Sequence, residues 1–124
     1  FPGTHELLTE LSQQYKLHII TNGFVEVQHI KLSQSDLAKY FDVVVCSEET
    51  GKKKPHKDVF NFALTKANAA PSESLMVGDS ILADVIGANK AGLTGVWFNP
   101  LFETTNEKVV EINSLAQLSS ILNG

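Results

Sequence analysis

The stretch Leu75–Asp84, with the sequence LMVGDSILAD, decides the fold class of this chain. Its first three residues are apolar, and the polar turn Gly78, Asp79 and Ser80 follows at once, which predicts a short buried strand. Ser80 is a suitable N-cap, and the helical pattern after it stops at Gly92, a favourable C′ residue. A strand that leads directly into a helix is the repeating unit of parallel α/β sheets.

The same alternation extends in both directions along the chain. Apolar or β-branched runs predict further strands near residues 17–21, 43–47, 95–98 and 109–112. Apolar residues at helical spacing predict helices that begin at Thr4, span about 24–32, 34–39 and 59–67, and begin again after Ser114. Strands that alternate with helices favour an α/β fold built from βαβ units with a parallel sheet. Ligands of such folds bind beyond the carboxyl ends of the strands.

Composition sets the broad class of the protein. The 124 residues fit a single domain, and 43% hydrophobic with 19% charged residues is an ordinary globular balance. A net charge of −4 argues against nucleic acid as a partner, and the sequence contains no apolar stretch long enough to predict a membrane segment. The one cysteine, Cys46, lies in an apolar run, so we expect a reducing, cytoplasmic location.

Two acids follow the strand of the deciding stretch. Asp79 ends that strand, and Asp84 lies one helical turn after Ser80, so its side chain can point back toward the same end of the sheet. Carboxylate oxygens are the ligands that Mg²⁺ prefers. The two acids therefore make a candidate Mg²⁺ site, with a plain helix cap and a solvated helix residue as the alternative.

Candidate phosphate-binding residues follow two other strands. The Thr21 hydroxyl and the backbone N–H of Asn22, next to a glycine, can hold an anion, although an ordinary turn explains them too. Lys54 precedes a proline and can neutralise a phosphate, with a solvated lysine as the alternative. Its neighbours Lys52 and Lys53 are interpreted as solvated. Trp97, Phe98 and Phe102 are interpreted as core or lid packing, with stacking of one of them on a base as the alternative.

These motifs together resemble the haloacid dehalogenase (HAD) superfamily. Ile19–Gly23 is similar to its motif II, Gly51–Pro55 to motif III, and Val77–Asp84 with the helix after it to motif IV. The stretch Tyr40–Glu49 is similar to the usual approach to motif III, so the resemblance covers nearly the whole chain. It implies a Rossmann-like core over residues 1–124, with three layers, α/β/α, and a mostly parallel sheet.

The resemblance also implies roles for single residues. Thr21, with the N–H of Asn22, binds the transferring phosphoryl group, Lys54 balances its charge, Asp79 binds Mg²⁺, and Asp84 supports the metal directly, through water or through Lys54. The implied enzyme is a Mg²⁺-dependent phosphatase that acts on a small phosphorylated metabolite. Residues 21–24 and the pair 48–49 look most like bacterial pyrimidine nucleoside 5′-monophosphatases, so a nucleoside monophosphate is the candidate substrate.

The chain contains no nucleophile of the family's Asp-x-Asp type. No two of its aspartates have a single residue between them; they are Asp36, Asp42, Asp58, Asp79 and Asp84. The resemblance therefore implies a partial core without the first, central strand and without the cap domain. We expect this chain alone to be inactive. We also expect free strand edges that pair directly, bind a partner strand or a second copy, or receive a segment of a longer protein.

Two alternatives to the phosphatase remain from the sequence. A haloacid dehalogenase uses the same nucleophile without a metal, although its members usually lack the Gly-Asp pair seen here at residues 78–79. The second alternative is a non-catalytic α/β module that binds phosphate or another protein, since this fold hosts many functions.

Overall fold

A computed structural model of the chain describes residues 4–21 and 38–123. The helix predicted near residues 24–32 lies outside the described part, as do Asn22 and most of the helix predicted near 34–39. Of the latter, Ala38–Tyr40 forms a single 3₁₀ turn. No helix in the described ranges is both long enough and apolar enough to cross a membrane.

Short strands alternate with helices along the described chain. The strands are β1 (His18–Thr21), β2 (Val43–Cys46), β3 (Leu75–Gly78), β4 (Thr94–Phe98) and β5 (Val110–Ile112). The helices are α1 (Thr4–Gln14), α2 (Ser47–Thr50), α3 (Lys57–Ala67), α4 (Gly87–Lys90) and α5 (Leu118–Asn123). A π-helical turn (Ile81–Ile86) leads into α4, and 3₁₀ turns occupy Pro71–Glu73 and Leu115–Gln117. The predicted strands are all present within one or two residues of their expected ends.

All described strand pairs are parallel, as the alternating pattern predicted. One sheet pairs β1 with β2, and the other has the order β3-β4-β5. The strand predicted to continue to Ser47 ends at Cys46, because Ser47 already begins helix α2. The helix that was predicted to stop at Gly92 does so, with Gly92 in the left-handed conformation (φ +94°) that a C′ glycine adopts.

Helices cover both faces of these sheets. On one face, Leu11 of α1 joins Val96, Ile112 and Leu118 in a buried core cluster. On the other face, α3 packs against β1 and β2 and also contacts α4, whose preceding π-helical turn lies on β3 and β4. Helix α1 contacts the 3₁₀ turn before β2 as well as the one after β5. The two sheets therefore lie side by side between the same two helical layers, as in the α/β/α architecture expected from the sequence.

The sheet is interrupted between β1 and β3. Among the described residues these two strands do not pair with each other, and each is the last strand of its own sheet. The sequence predicted free edges at these strands. One expected outcome was that the two strands pair directly, and they do not do so within the described ranges. Unpaired N–H and C=O groups on such edges favour the addition of a further strand.

Gly95 allows the helical layer to approach β4 closely. A Cβ at this position would lie 2.5 Å from the Val85 carbonyl oxygen and 2.8 Å from the Val85 Cα, which are both backbone atoms of the π-helical turn. The Gly95 N–H also donates a hydrogen bond to Asn89 Oδ1 at 2.8 Å. The position of the turn that carries Asp84 therefore depends on the absence of a side chain at residue 95.

We predict that Gly95→Ala lowers the free energy of unfolding by about 2 kcal/mol, because the added methyl group forces backbone apart in a packed layer. Urea unfolding followed by circular dichroism measures the change. Thr94→Ala is the control, since Thr94 lies exposed on the same strand and its truncation should cost within about 0.5 kcal/mol. Equal losses in the two variants would contradict the close-approach argument.

Cys46 is a buried thiol at the end of β2. It is 1% exposed, which confirms its interpretation as a small apolar residue. Burial raises the pKa of the thiol above its ordinary value of 9.0, and the nearby charges of Glu49 and then Glu48 raise it further. The native thiol therefore stays protonated at a pH at which the unfolded chain already ionises it.

We predict that iodoacetamide alkylates native Cys46 more slowly than it alkylates the urea-unfolded chain at the same pH, because the native thiol is 1% exposed and only the thiolate reacts. Mass spectrometry of timed samples measures the rate. Because the native state keeps the proton that the unfolded state loses, the free energy of unfolding should fall as the pH rises above about 9. Native and unfolded chains that react at the same rate would contradict the prediction.

Candidate functional site

The carboxyl ends of the strands carry the predicted site residues. Thr21 is the last residue of β1 and is aligned with Cys46, the last residue of β2. Asp79 follows the last residue of β3 directly. Because the strands within each sheet are parallel and the two sheets share their helical layers, these ends lie at one rim of the molecule.

An ion pair joins the two sheets at this rim. The Lys54 Nζ lies 2.6 Å from Asp84 Oδ1, and the two side chains are only 11% and 6% exposed. The same amino group donates a hydrogen bond to the Ile20 carbonyl oxygen of β1 at 3.4 Å. Lys54 therefore links the end of β1 to the helical turn after β3. A buried pair of this kind depends on such additional hydrogen bonds, since both charges have lost water.

The second oxygen of Asp84 is also engaged. Asp84 Oδ2 accepts a hydrogen bond from the Ser80 backbone N–H at 3.1 Å, as expected for an acid one turn into a helix that points back to its start. Gly78 makes room for this carboxylate, because a Cβ on Gly78 would collide with Asp84 Cβ, Cγ and Oδ2. The glycine of the Gly-Asp pair is thus required by the position of Asp84.

The turn after β3 has the predicted cap. Ser80 Oγ accepts a hydrogen bond from the Ala83 N–H at 3.1 Å, so Ser80 is the N-cap of the helical segment. The segment begins as a π-helical turn rather than the plain helix expected from the sequence, because the Val85 N–H reaches back five residues to the Ser80 carbonyl (3.3 Å). Turns of this type often occur at functional sites.

Asp79 and Asp84 differ in what they can bind. Both Asp84 oxygens already hold partners, whereas Asp79 is exposed and its carboxylate has no hydrogen bond or ion pair within the described ranges. Residues 4–21 and 38–123 bring no three acidic, histidine or cysteine side chains together as a metal cluster. Asp79 nevertheless fits Mg²⁺, which takes one or two carboxylates in phosphate sites and keeps several waters. Asp84 fits the role of holding Lys54.

The structure thus brings four of the five predicted residues to one rim: Thr21, Lys54, Asp79 and Asp84. The fifth, Asn22, lies outside the described residues. Of the pair that suggested a nucleotide substrate, Glu49 is structural, because its carboxylate accepts a hydrogen bond from the Cys46 N–H (2.9 Å) and lies 3.3 Å from Lys66 Nζ. The catalytic and binding roles of the four residues stay predictions.

Sequence reasoning missed one polar role at this rim. Trp97 was interpreted as core or lid packing, and it is indeed 3% exposed, but its indole N–H donates to the Asp79 carbonyl oxygen at 3.0 Å. The available signal was the place of Trp97 in an apolar strand. A tryptophan in a run predicted to be a buried strand needs a partner for its indole N–H.

We predict that Lys54→Met lowers the free energy of unfolding by about 3 kcal/mol, because it leaves the buried Asp84 carboxylate without its counter-charge. Urea unfolding at neutral pH measures the loss. Adding Asp84→Asn to Lys54→Met should recover part of it, since the uncompensated charge is then gone.

Lys53→Met is the matched control for this prediction. Lys53 is the exposed neighbour in the same lysine run, and its replacement should change stability by less than about 0.5 kcal/mol. Similar losses in Lys53→Met and Lys54→Met would show that the ion pair does not hold the two sheets together.

Similar proteins with known structures share this arrangement of elements. A HAD phosphatase from Thermococcus onnurineus matches the whole chain with a TM-score of 0.94 at 36% identity, over 58% of its own length. The putative HAD-hydrolase YfnB from Bacillus subtilis, solved bound to magnesium, matches 99% of the chain with a TM-score of 0.90 at 35% identity, over 55% of its length.

Sequence comparison gives the same relationship. The pyrimidine 5′-nucleotidase YjjG from Escherichia coli is 38% identical over 125 aligned residues, which cover 98% of this chain and 56% of YjjG. The chain thus spans a little more than half the length of these relatives. The family model described as haloacid dehalogenase-like hydrolase matches residues 1–98. With its parallel sheet and the Lys54–Asp84 pair at the strand ends, this chain belongs to the haloacid dehalogenase-like hydrolase family.

Proposed function

We propose that the natural gene product containing this chain is a Mg²⁺-dependent phosphomonoesterase. The observation that carries the proposal is the buried Lys54–Asp84 pair, which keeps a lysine amino group at the strand-end rim beside the main chain of Ile20. A fixed cation at that place suits a reaction that concentrates negative charge on phosphoryl oxygens.

Each residue at the rim has a distinct task in the proposed reaction. The Thr21 hydroxyl donates a hydrogen bond to a non-bridging phosphoryl oxygen from the end of β1, and the Asn22 N–H assists it. Lys54 faces the same charge but is held by Asp84 at 2.6 Å, so its ammonium group needs little reorganisation when the substrate arrives. The chain thus supplies binding and orientation for the phosphoryl group.

Asp79 is the residue of this chain that would hold Mg²⁺. Its carboxylate is exposed at the rim, while Asp84 is committed to Lys54 and to the Ser80 N–H. When bound, the ion supplies positive charge for the phosphoryl oxygens. The magnesium-bound structure of the relative YfnB supports the choice of metal.

The substrate in this proposal is a small phosphate monoester, with a nucleoside 5′-monophosphate as the first candidate. The support is the 38% identity to a protein named a pyrimidine 5′-nucleotidase. Glu49 does not add to this support, because its carboxylate caps the start of α2 and contacts Lys66. The proposal therefore names the phosphate ester as the class and leaves the choice of nucleotide to experiment.

In this proposal the nucleophile is not one of the aspartates of this chain. Asp42 lies just before β2 and Asp58 in the first turn of α3, so neither follows the carboxyl end of a strand. A parallel strand between β1 and β3 would end at the rim between Thr21 and Asp79, where a nucleophilic aspartate must lie to reach the bound phosphoryl group. We also place the protein in the cytoplasm, in keeping with its buried free thiol.

We predict that the natural gene product hydrolyses p-nitrophenyl phosphate and pyrimidine nucleoside monophosphates in MgCl₂ and loses this activity in excess EDTA. Asp79→Asn should lower kcat/KM by about 100-fold or more, because a charged group at the reacting centre is lost. Asp58→Asn is the control, since Asp58 is half exposed on α3 and its replacement should leave kcat/KM unchanged. The pure 124-residue chain should show no turnover.

Three outcomes would contradict parts of this proposal. Turnover by the pure 124-residue chain would show that the nucleophile lies within it. Equal activity in MgCl₂ and EDTA, with halide release from 2-haloacids, would favour the metal-independent dehalogenase. Absence of both activities in the natural gene product would favour a non-catalytic module.

A further inference from the structure

Trp97 makes a buried polar contact with the strand that carries Asp79. It lies on β4 opposite Gly78 in the parallel register, and its side chain is 3% exposed. Its Nε1–H donates a hydrogen bond of 3.0 Å to the backbone carbonyl oxygen of Asp79. The indole N–H can only donate, so this carbonyl satisfies the one polar atom of the buried ring.

The carbonyl of Asp79 and the N–H of Ser80 belong to the same peptide group. Trp97 binds the carbonyl end of that group at 3.0 Å, and Asp84 Oδ2 accepts a hydrogen bond from its N–H end at 3.1 Å. A planar peptide group held at both ends cannot rotate about the bonds that flank it. The backbone on the carboxyl side of Asp79 is therefore fixed by two side chains from different elements.

This clamp matters because the Asp79 carboxylate itself is not held. It is exposed and makes no hydrogen bond or ion pair within the described ranges, so the described contacts fix only the backbone from which it projects. Ligands of a binding site must be kept within about 0.5 Å of the productive geometry by packing and hydrogen bonds around them. At Asp79 the two hydrogen bonds to the 79–80 peptide group serve this purpose.

We propose that Trp97 is a positioning residue of the metal site, which aims the Asp79 carboxylate by holding the 79–80 peptide group against the pull of Asp84. This inference rests on the proposed function, since it assigns the Mg²⁺ ligand to Asp79. It also gives Trp97 and Asp84, which bind the two ends of this peptide group, different roles. Asp84 ties the N–H end to Lys54, and Trp97 ties the carbonyl end to strand β4.

The test removes the indole N–H and keeps the shape of the ring. Trp97 is replaced site-specifically by 3-benzothienylalanine, in which sulfur stands for the N–H group, in the natural gene product. Isothermal titration with MgCl₂ alone should show binding about 3- to 10-fold weaker than in the wild type, as expected for the loss of one hydrogen bond. Exchange of the Ser80 amide hydrogen should become faster, which a purely space-filling role of the ring would not cause.

Ile112→Val is the matched control. Ile112 is 2% exposed in the core cluster with Leu11, Val96 and Leu118, and its side chain has no polar atom that could bond the 79–80 peptide group. Its truncation therefore weakens packing while leaving Mg²⁺ affinity within about twofold. Wild-type protein that binds no Mg²⁺ overturns the proposed function and the metal-site role of Trp97 together. Wild-type protein that binds Mg²⁺ with an affinity unchanged by the benzothienyl replacement overturns the role of Trp97 alone.

Discussion

The buried ion pair between Lys54 and Asp84 is the interaction on which the geometry of the rim depends. No described backbone hydrogen bonds join β1 to β3, so the two sheets meet at this rim through side chains rather than through a strand ladder. Ile20 and Ser80 supply further hydrogen bonds to the pair, which replace water that the two buried charges have lost. The hydrogen bonds that stabilise the two buried charges therefore also set the distance between the ends of β1 and β3.

The pair also explains why small residues stand where they do. Gly78 leaves the space that the Asp84 carboxylate occupies, and Gly95 lets the turn carrying Asp84 approach β4. A side chain at either position would push the turn away from the sheet and lengthen the contact with Lys54. Ser80 starts the turn, because its hydroxyl accepts a hydrogen bond from the Ala83 N–H. The Asp84 side chain points back to the start of the same turn, where it accepts a hydrogen bond from the Ser80 N–H.

Much of the fold and part of the site were predictable, because they follow from local pattern. Apolar runs ending in polar turns give the strands, and the rule that ligands bind at their carboxyl ends selects Thr21, Lys54 and Asp79. The π-helical turn and the contact of Trp97 were not predictable, since each depends on how two elements pack. The ring of Trp97 is apolar enough to be assigned to the core by pattern alone, and only the register of β4 against β3 shows which carbonyl its N–H reaches.

The gap between β1 and β3 lies next to the rim residues, because Lys54 and Asp84 link the ends of these two strands. A parallel strand placed between β1 and β3 would satisfy both free edges and would end beside Lys54, the group that already links the two sheets. If the protein is the proposed phosphatase, the last residue of such a strand would lie between the cation of Lys54 and the carboxylate of Asp79, where the acceptor of the phosphoryl group belongs. Within the described residues, the Lys54–Asp84 pair links the strand ends that would lie on either side of such a strand.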